Sequence, residues 1–167
     1  MGLDISYCEN AEPYKGEVDS DGEPLSDYER VYVNPHFPNH CEYETGYYTA
    51  DYSGQFRAGS YSGYSYWRNK LAGIMGYEYK INTHEFMGRK YDFKDHQVPA
   101  SAPFEELINF SDCEGAIGTV YSKKLYKDFV DHEEIANESD DEYFREVYDL
   151  FKEAFRVASN NGFVLFH

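Results

Sequence analysis

The C-terminal stretch constrains the fold more tightly than any other part of the chain. Phe144, Val147, Phe151, Phe155 and Ala158 recur at helical spacing and form one apolar stripe. Ser139 and Glu142 read as a capping box ahead of it, and the acids there suit the positive end of the helix dipole. Asn160, Asn161 and Gly162 end the helix. Phe163, Val164, Leu165 and Phe166 then follow with no polar residue. A buried terminal strand is expected, because an exposed apolar tail invites aggregation.

The remainder is read against that helix and strand. Gly2 to Cys8 alternates apolar and polar residues, as an opening strand does. Residues 9–29 are acidic, carry Asp21-Gly22 and Pro24, and read as turn or loop. Arg30, Val31, Tyr32 and Val33 suit a strand that Pro35 and Pro38 end. Residues 39–56 are tyrosine-rich, with room for a strand or two. Residues 59–64 read as a flexible loop. Trp67, Leu71, Ile74 and Met75 then mark a helix, capped by Ser62 or Ser65 and stopped by Gly76. Residues 77–98 are polar and mixed, with a strand-like front from Tyr77 to Ile81. Pro103 opens a short helix through Leu107 and Ile108. Ser122 is placed to cap a further helix on which Leu125 and Phe129 stack. The expectation is an α+β fold, a single compact domain over residues 1–167. A small, mainly antiparallel sheet packs with about three to four helices concentrated in the second half. A chain of 167 residues buries enough core to need no disulfide or structural metal.

Charge narrows the partners. The net charge is −16, from 31 acids and 15 bases. It is −10 over residues 1–55, +3 over 56–100 and −9 over 101–167. A broad basic surface for nucleic acid is disfavoured and no direct nucleic-acid contact is expected. An anionic membrane repels such a chain. A basic protein is the partner that the field favours. Three cysteines with no CxxC are not a disulfide framework, and no leader-like N-terminus is evident, so a reducing cytoplasm is expected.

Three stretches carry candidate chemistry. Residues 59–63 precede a helix and offer backbone N–H groups to a phosphate. Arg57, Ser60, Ser62, Tyr64, Trp67 and Arg68 are the candidate ligand residues there, the rings for stacking. A core role for Trp67 competes with that reading. Asp112, Cys113 and Glu114 read first as a turn into Gly115. Carboxylates beside a thiol raise its pKa, which opposes a nucleophile, so Asp112 and Glu114 are kept as candidate ligand residues and no catalytic residue is assigned. His36, His40 and Cys41 have half a zinc spacing, but Pro35 and Pro38 oppose the helix that would align them, so no metal or other cofactor is expected.

MGLDI at the start, GSYSGYSYWRNKLAG, LINFSDCEGAIG with KLYKDF after it, and NGFVLFH at the end resemble a group of small bacteriophage and prophage proteins. The resemblance implies a phage accessory protein in the bacterial host cytoplasm. It carries no catalytic residues over. With the acidity, it points to a binding protein that inhibits a host defence or nucleic-acid-binding complex. Asp19, Asp21, Glu23, Asp140, Asp141 and Glu142 are the carboxylates expected to meet its basic surface. A nucleotide-sequestering protein and an enzyme at Asp112, Cys113 and Glu114 are the alternatives.

Overall fold

The computed structural model describes residues 2–110 and 114–167. In chain order its elements are β1 (Gly2–Glu9), β2 (Glu12–Pro13), β3 (Glu29–Val31), β4 (Gly46–Thr49) and β5 (Tyr52–Ser60). Helix α1 (Tyr61–Ile74), β6 (Tyr79–Phe86), β7 (Arg89–His96), α2 (Glu105–Asn109) and β8 (Gly115–Ile117) come next. Helices α3 (Thr119–Asp131), α4 (Glu133–Asn137) and α5 (Glu142–Ala158), then β9 (Phe163–Phe166), complete the chain. The fold is α+β.

The central sheet is antiparallel, in the order β5-β1-β9-β8. The apolar C-terminal run lies inside it as β9. Its Val164 and Phe166 join the helical core, while Phe163 and Leu165 join a second cluster with Val31 and Tyr48 of the β2-β4-β3 sheet. A strand buried on both faces has no position for a polar side chain, which accounts for its composition. Strand β1 divides likewise, with Leu3 and Ile5 toward the helices and Cys8 toward the small sheet. Gly162 is required where α5 turns into β9. A Cβ there would lie 1.8 Å from the carbonyl oxygen of Cys8.

The helical core is aromatic and its polar tips are satisfied. Trp67 stands against Phe151 at 4.9 Å between ring centres, and its indole N–H donates to the Phe144 carbonyl at 3.0 Å. The Tyr148 hydroxyl donates to the Phe129 carbonyl at 2.7 Å. Such rings bury large areas without leaving a donor orphaned. A charged knot closes the far side. Lys124 Nζ meets Glu106 at 2.5 Å, Asp128 at 3.1 Å and the Ala102 carbonyl at 2.6 Å. Asp128 also accepts the Phe104 N–H at 2.9 Å, where the backbone turns through a left-handed φ of 59°.

Several local expectations are corrected. Helix α5 is capped by Asp141, whose Oδ1 accepts the Phe144 N–H at 3.0 Å; Ser139 instead accepts from Asp141 N–H, so no reciprocal Ser–Glu box forms. Residues 59–64 are not a loop. Pairing of Gly2 with Ser60 carries β5 to the helix, and Ser60, rather than Ser62 or Ser65, caps α1 through Gly63 N–H at 3.0 Å. Helix α3 starts at Thr119, so Ser122 lies buried in its first turn and caps nothing. The Thr119 hydroxyl is spent on the Gly162 carbonyl at 2.8 Å, which seats the helix start against the end of α5. Residues 79–96 form a long hairpin turning through Met87 (φ 51°) and Gly88 (φ 74°). Two successive positive φ values match the turn type whose twist suits paired strands. Among the described residues no helix is long and apolar enough to cross a membrane.

Candidate binding cleft

Helix α1 has two faces. Tyr64, Trp67 and Leu71 are buried in the core. Ser62, Tyr66, Asn69 and Gly73 recur at i, i+4, i+7 and i+11 on the opposite side. That outer face fronts the β6–β7 hairpin across an open cleft, with α1 and β7 touching. The pairs Lys80–Asp95, Asn82–Phe93, His84–Tyr91 and Phe86–Arg89 put these eight side chains on one face of the hairpin. Asn82, His84, Phe93 and Asp95 of that face line an open cleft of about 1330 Å³ against α1.

The cleft combines cations, amides and rings. Arg68 is held at its edge by donation to the Ile108 carbonyl at 2.6 Å, with its guanidinium 5.2 Å from the Tyr64 ring centre. Lys70 pairs with Asp141 at 2.9 Å, and Tyr66 donates to the same carboxylate oxygen at 2.9 Å. These bonds, with Lys70 foremost, hold the Asp141 carboxyl down at about 2. Lys94 enters from the hairpin and lies 4.6 Å from the Tyr79 ring centre. Two of the hairpin's three acids are engaged. Asp95 accepts from Asn82 at 3.1 Å and Asp92 from Thr83 at 2.6 Å. Burial pushes the His96 ring below the usual histidine range, so the neutral imidazole lines the cleft.

The positive charge left over after ion pairing is concentrated on the hairpin. Lys15, Arg57, Lys70, Lys124, Lys127, Lys152 and Arg156 each meet a carboxylate. Among the described residues, Lys80, Arg89, Lys90 and Lys94 have none within ion-pairing distance, and away from the hairpin the same holds for Arg30, Lys123 and Arg145. Overall charge conceals this separation.

The residues singled out in the sequence disperse. Ser62 and Arg68 line the cleft. Tyr64 and Trp67 are wholly buried in the core. Ser60 is a cap, and Arg57 pairs with Asp4 at 3.8 Å on the sheet. The phosphate position at the start of α1 is filled from within. A Cβ at Gly59 would lie 2.5 Å from the Tyr143 hydroxyl, which donates to the Ala58 carbonyl. Asp112 and Cys113 lie outside the described residues. Glu114 is exposed, and its backbone carbonyl accepts from Asn34 at 2.8 Å.

The six acidic candidates also divide. Asp19 accepts the N–H groups of Asp21 and Glu23, both at 2.9 Å, and so holds its own turn. Glu23 accepts from the Tyr28 hydroxyl at 3.3 Å. Asp141 is the α5 cap. The side chains of Asp21, Asp140 and Glu142 are exposed. His40 does not stand with His36 and Cys41 as a metal set. Its ring packs on Phe37 at 5.0 Å and Tyr121 at 5.3 Å, and burial lowers its pKa. Among the described residues no group of three or more His, Cys, Asp or Glu is arranged to hold a metal. Burial raises Cys8 to about 12 and Cys41 to about 11, so both pack as small hydrophobes.

Sequence reasoning missed the hairpin half of the cleft. Residues 77–98 contain no Asn-Gly or Asp-Gly turn signal. The alternation of Tyr79, Ile81 and Thr83 on one side of Met87-Gly88, with Tyr91 and Phe93 on the other, was the available signal. No protein-family model, no curated protein and no solved structure matches this chain.

Proposed function

We propose that the protein acts by binding, and that the cleft between α1 and the hairpin takes an anionic ligand carrying flat rings, of the nucleotide class. One observation carries this reading. Arg68 and Lys94, the amides of Asn69 and Asn82, and the rings of Tyr66 and Phe93 line the same cleft. Cations and amides suit phosphate oxygens, and exposed rings suit base faces. Thermal unfolding with adenosine, guanosine, cytidine and uridine triphosphates, and with inorganic phosphate, tests it. A ligand at 100 times its Kd adds about 2.7 kcal/mol to stability. At least one nucleotide should raise Tm more than phosphate does. A Gly73→Phe protein should lose the rise without a lowered Tm of its own, because a Cβ at Gly73 meets nothing within 4 Å. Absence of any rise sinks the reading.

A second reading rests on the exposed carboxylates of Asp21, Asp140 and Glu142, none of which meets a basic side chain among the described residues. In it the protein is a phage accessory inhibitor. It offers these acids to the basic surface of a host nucleic-acid-binding complex. Asp19 and Asp141 are left out of the test because they hold a turn and a cap. Reversing Asp21, Asp140 and Glu142 to Lys should release a partner captured from bacterial lysate at low salt. Undiminished capture by that triple variant removes the reading.

A further inference from the structure

The cleft opens onto a longer surface. Its 1330 Å³ exceeds the roughly 300–1,000 Å³ of pockets that enclose a small ligand. Beyond Asn82 and Phe93, the same hairpin face runs on through His84, Tyr91, Phe86 and Arg89 to the turn. Each strand has eight residues, giving about 25 Å of track at about 3.3 Å per residue.

That face carries a run of exposed rings. Tyr91, Phe93 and Phe86 are 42%, 51% and 67% exposed. A two-stranded hairpin standing in water is marginally stable, and a cluster of exposed large rings marks a surface that meets something. Two of the cations without carboxylates share that face with the rings: Arg89 is paired with Phe86 toward the turn, and Lys80 lies at the other end, whereas Lys90 and Lys94 belong to the opposite face. The face's one acid, Asp95, already accepts from Asn82.

We infer that this hairpin face, continuous with the cleft, is a binding track for single-stranded nucleic acid. The inference rests on the proposed nucleotide cleft, which forms one end of the track. Rings stack on nucleobases of any sequence while Lys and Arg track the phosphates. A duplex hides its base faces and fits a broad basic surface, which this acidic body lacks. The overall charge of −16 argues against nucleic acid only as an average over the chain. At physiological salt the Debye length is about 8 Å, shorter than the hairpin, so the distal end of the ring face experiences chiefly the charge nearest it, Arg89, while Lys90, Glu85 and Asp92 belong to the opposite face.

Fluorescence anisotropy with labelled oligothymidylates of 4, 8 and 12 nucleotides, thymidine monophosphate as competitor, and a 12-base-pair duplex tests the inference. Affinity should rise from the shortest to the longer strands and exceed that for duplex. The logarithm of the association constant should fall with the logarithm of salt at a slope of about −2 to −3, as for three or four phosphates on a single strand. Phe86→Ala and Tyr91→Ala should each weaken the 12-mer about tenfold, within the range measured for stacked bases, without lowering Tm. Lys80→Glu with Arg89→Glu should flatten the salt slope. Thymidine monophosphate binding with no gain from a longer strand overturns the track and leaves the cleft reading intact. Binding of neither overturns both. Equal affinity for duplex also overturns the track. So does a hairpin that holds a protein from lysate, and releases it on Phe86→Ala, while no strand binds.

Discussion

Strand β9 has four residues and all are buried; β6 has eight and all are exposed. Both are regular antiparallel strands with apolar side chains. The difference lies in what covers them. Strand β9 has a strand on each side, helices on one face and a small sheet on the other. Strand β6 has one neighbour, β7, and faces the cleft rather than a packed layer. Hydrogen-bond ladders contribute modestly beside burial, so the sheet holds the fold and the hairpin rides on it. Large truncations separate the two regions most. Trp67→Ala in the core should cost about 3–5 kcal/mol in urea unfolding. Phe86→Ala on the hairpin should stay within about 0.5 kcal/mol. Equal losses would break the comparison and mean that the hairpin is structural.

The two regions also handle cations differently. Lys124 is committed to Glu106 and Asp128, which are 4% and 9% exposed, whereas Lys90 and Arg89 project from an exposed strand. Lys124→Met leaves two buried carboxylates without a cation, and such a loss costs about 3–5 kcal/mol. A Glu106→Gln substitution added to Lys124→Met should recover part of it. Lys90→Met should leave the unfolding midpoint unchanged, since an exposed charge without a partner contributes little.

The same division decides how much was legible in the sequence. The α5 stripe, β1 and the buried β9 were readable, because a buried element must repeat its apolar residues at the period of its own geometry. Trp67 was legible as a core residue for that reason. The caps were misassigned by two to five residues. Ser60, Ser62, Asp141 and Ser139 are all competent cap types, and tertiary bonds choose among them. Lys70 and Tyr66 converge on Asp141 from another helix, across 70 positions or more, which no local pattern reports. The hairpin was missed because nothing buries either face, so alternation never sharpened into a polar and an apolar side. The cleft was half legible. Its helix half carried Ser62 and Arg68, and its hairpin half carried only a mixed composition.

Asp141 joins the two regions, as cap of a core helix and partner of the cleft lysine. Asp141→Ala should cost about 0.5–2 kcal/mol for the lost cap, with the Lys70 pair adding little because it is partly solvated. Its pH dependence has a definite sign. The folded carboxyl titrates near 2, below the unfolded value of 3.8. The folded state therefore binds fewer protons than the unfolded one between those values, and stability falls as pH drops from about 4 toward 2. Wild type and Asp141→Asn should converge in stability across that window. His40 acts higher. Its folded pKa lies below 6.5, so the unfolded state takes up the proton first and stability declines as pH falls below that value. His40→Phe should flatten this slope in unfolding measured between pH 7 and pH 5.

The change of a single methyl is the sharpest test of which side of α1 belongs to the fold. Gly73 sits in the last turn of α1 on the cleft face, with open space around it. Glycine in a helix interior is about 1 kcal/mol less favourable than alanine. Packing gives no reason for that cost, because no neighbour would meet the added methyl. Gly73→Ala should therefore raise stability by about 0.5–1 kcal/mol in urea unfolding. Ala72, one residue earlier, is wholly buried in the core. Ala72→Val should lower stability by about 1–3 kcal/mol, the range for overpacking. A gain at Gly73 accompanied by weaker nucleotide binding would mean that the glycine serves the cleft. A loss of stability at Gly73 would mean that the outer face of α1 is packed in solution, and the hairpin would then belong with the core.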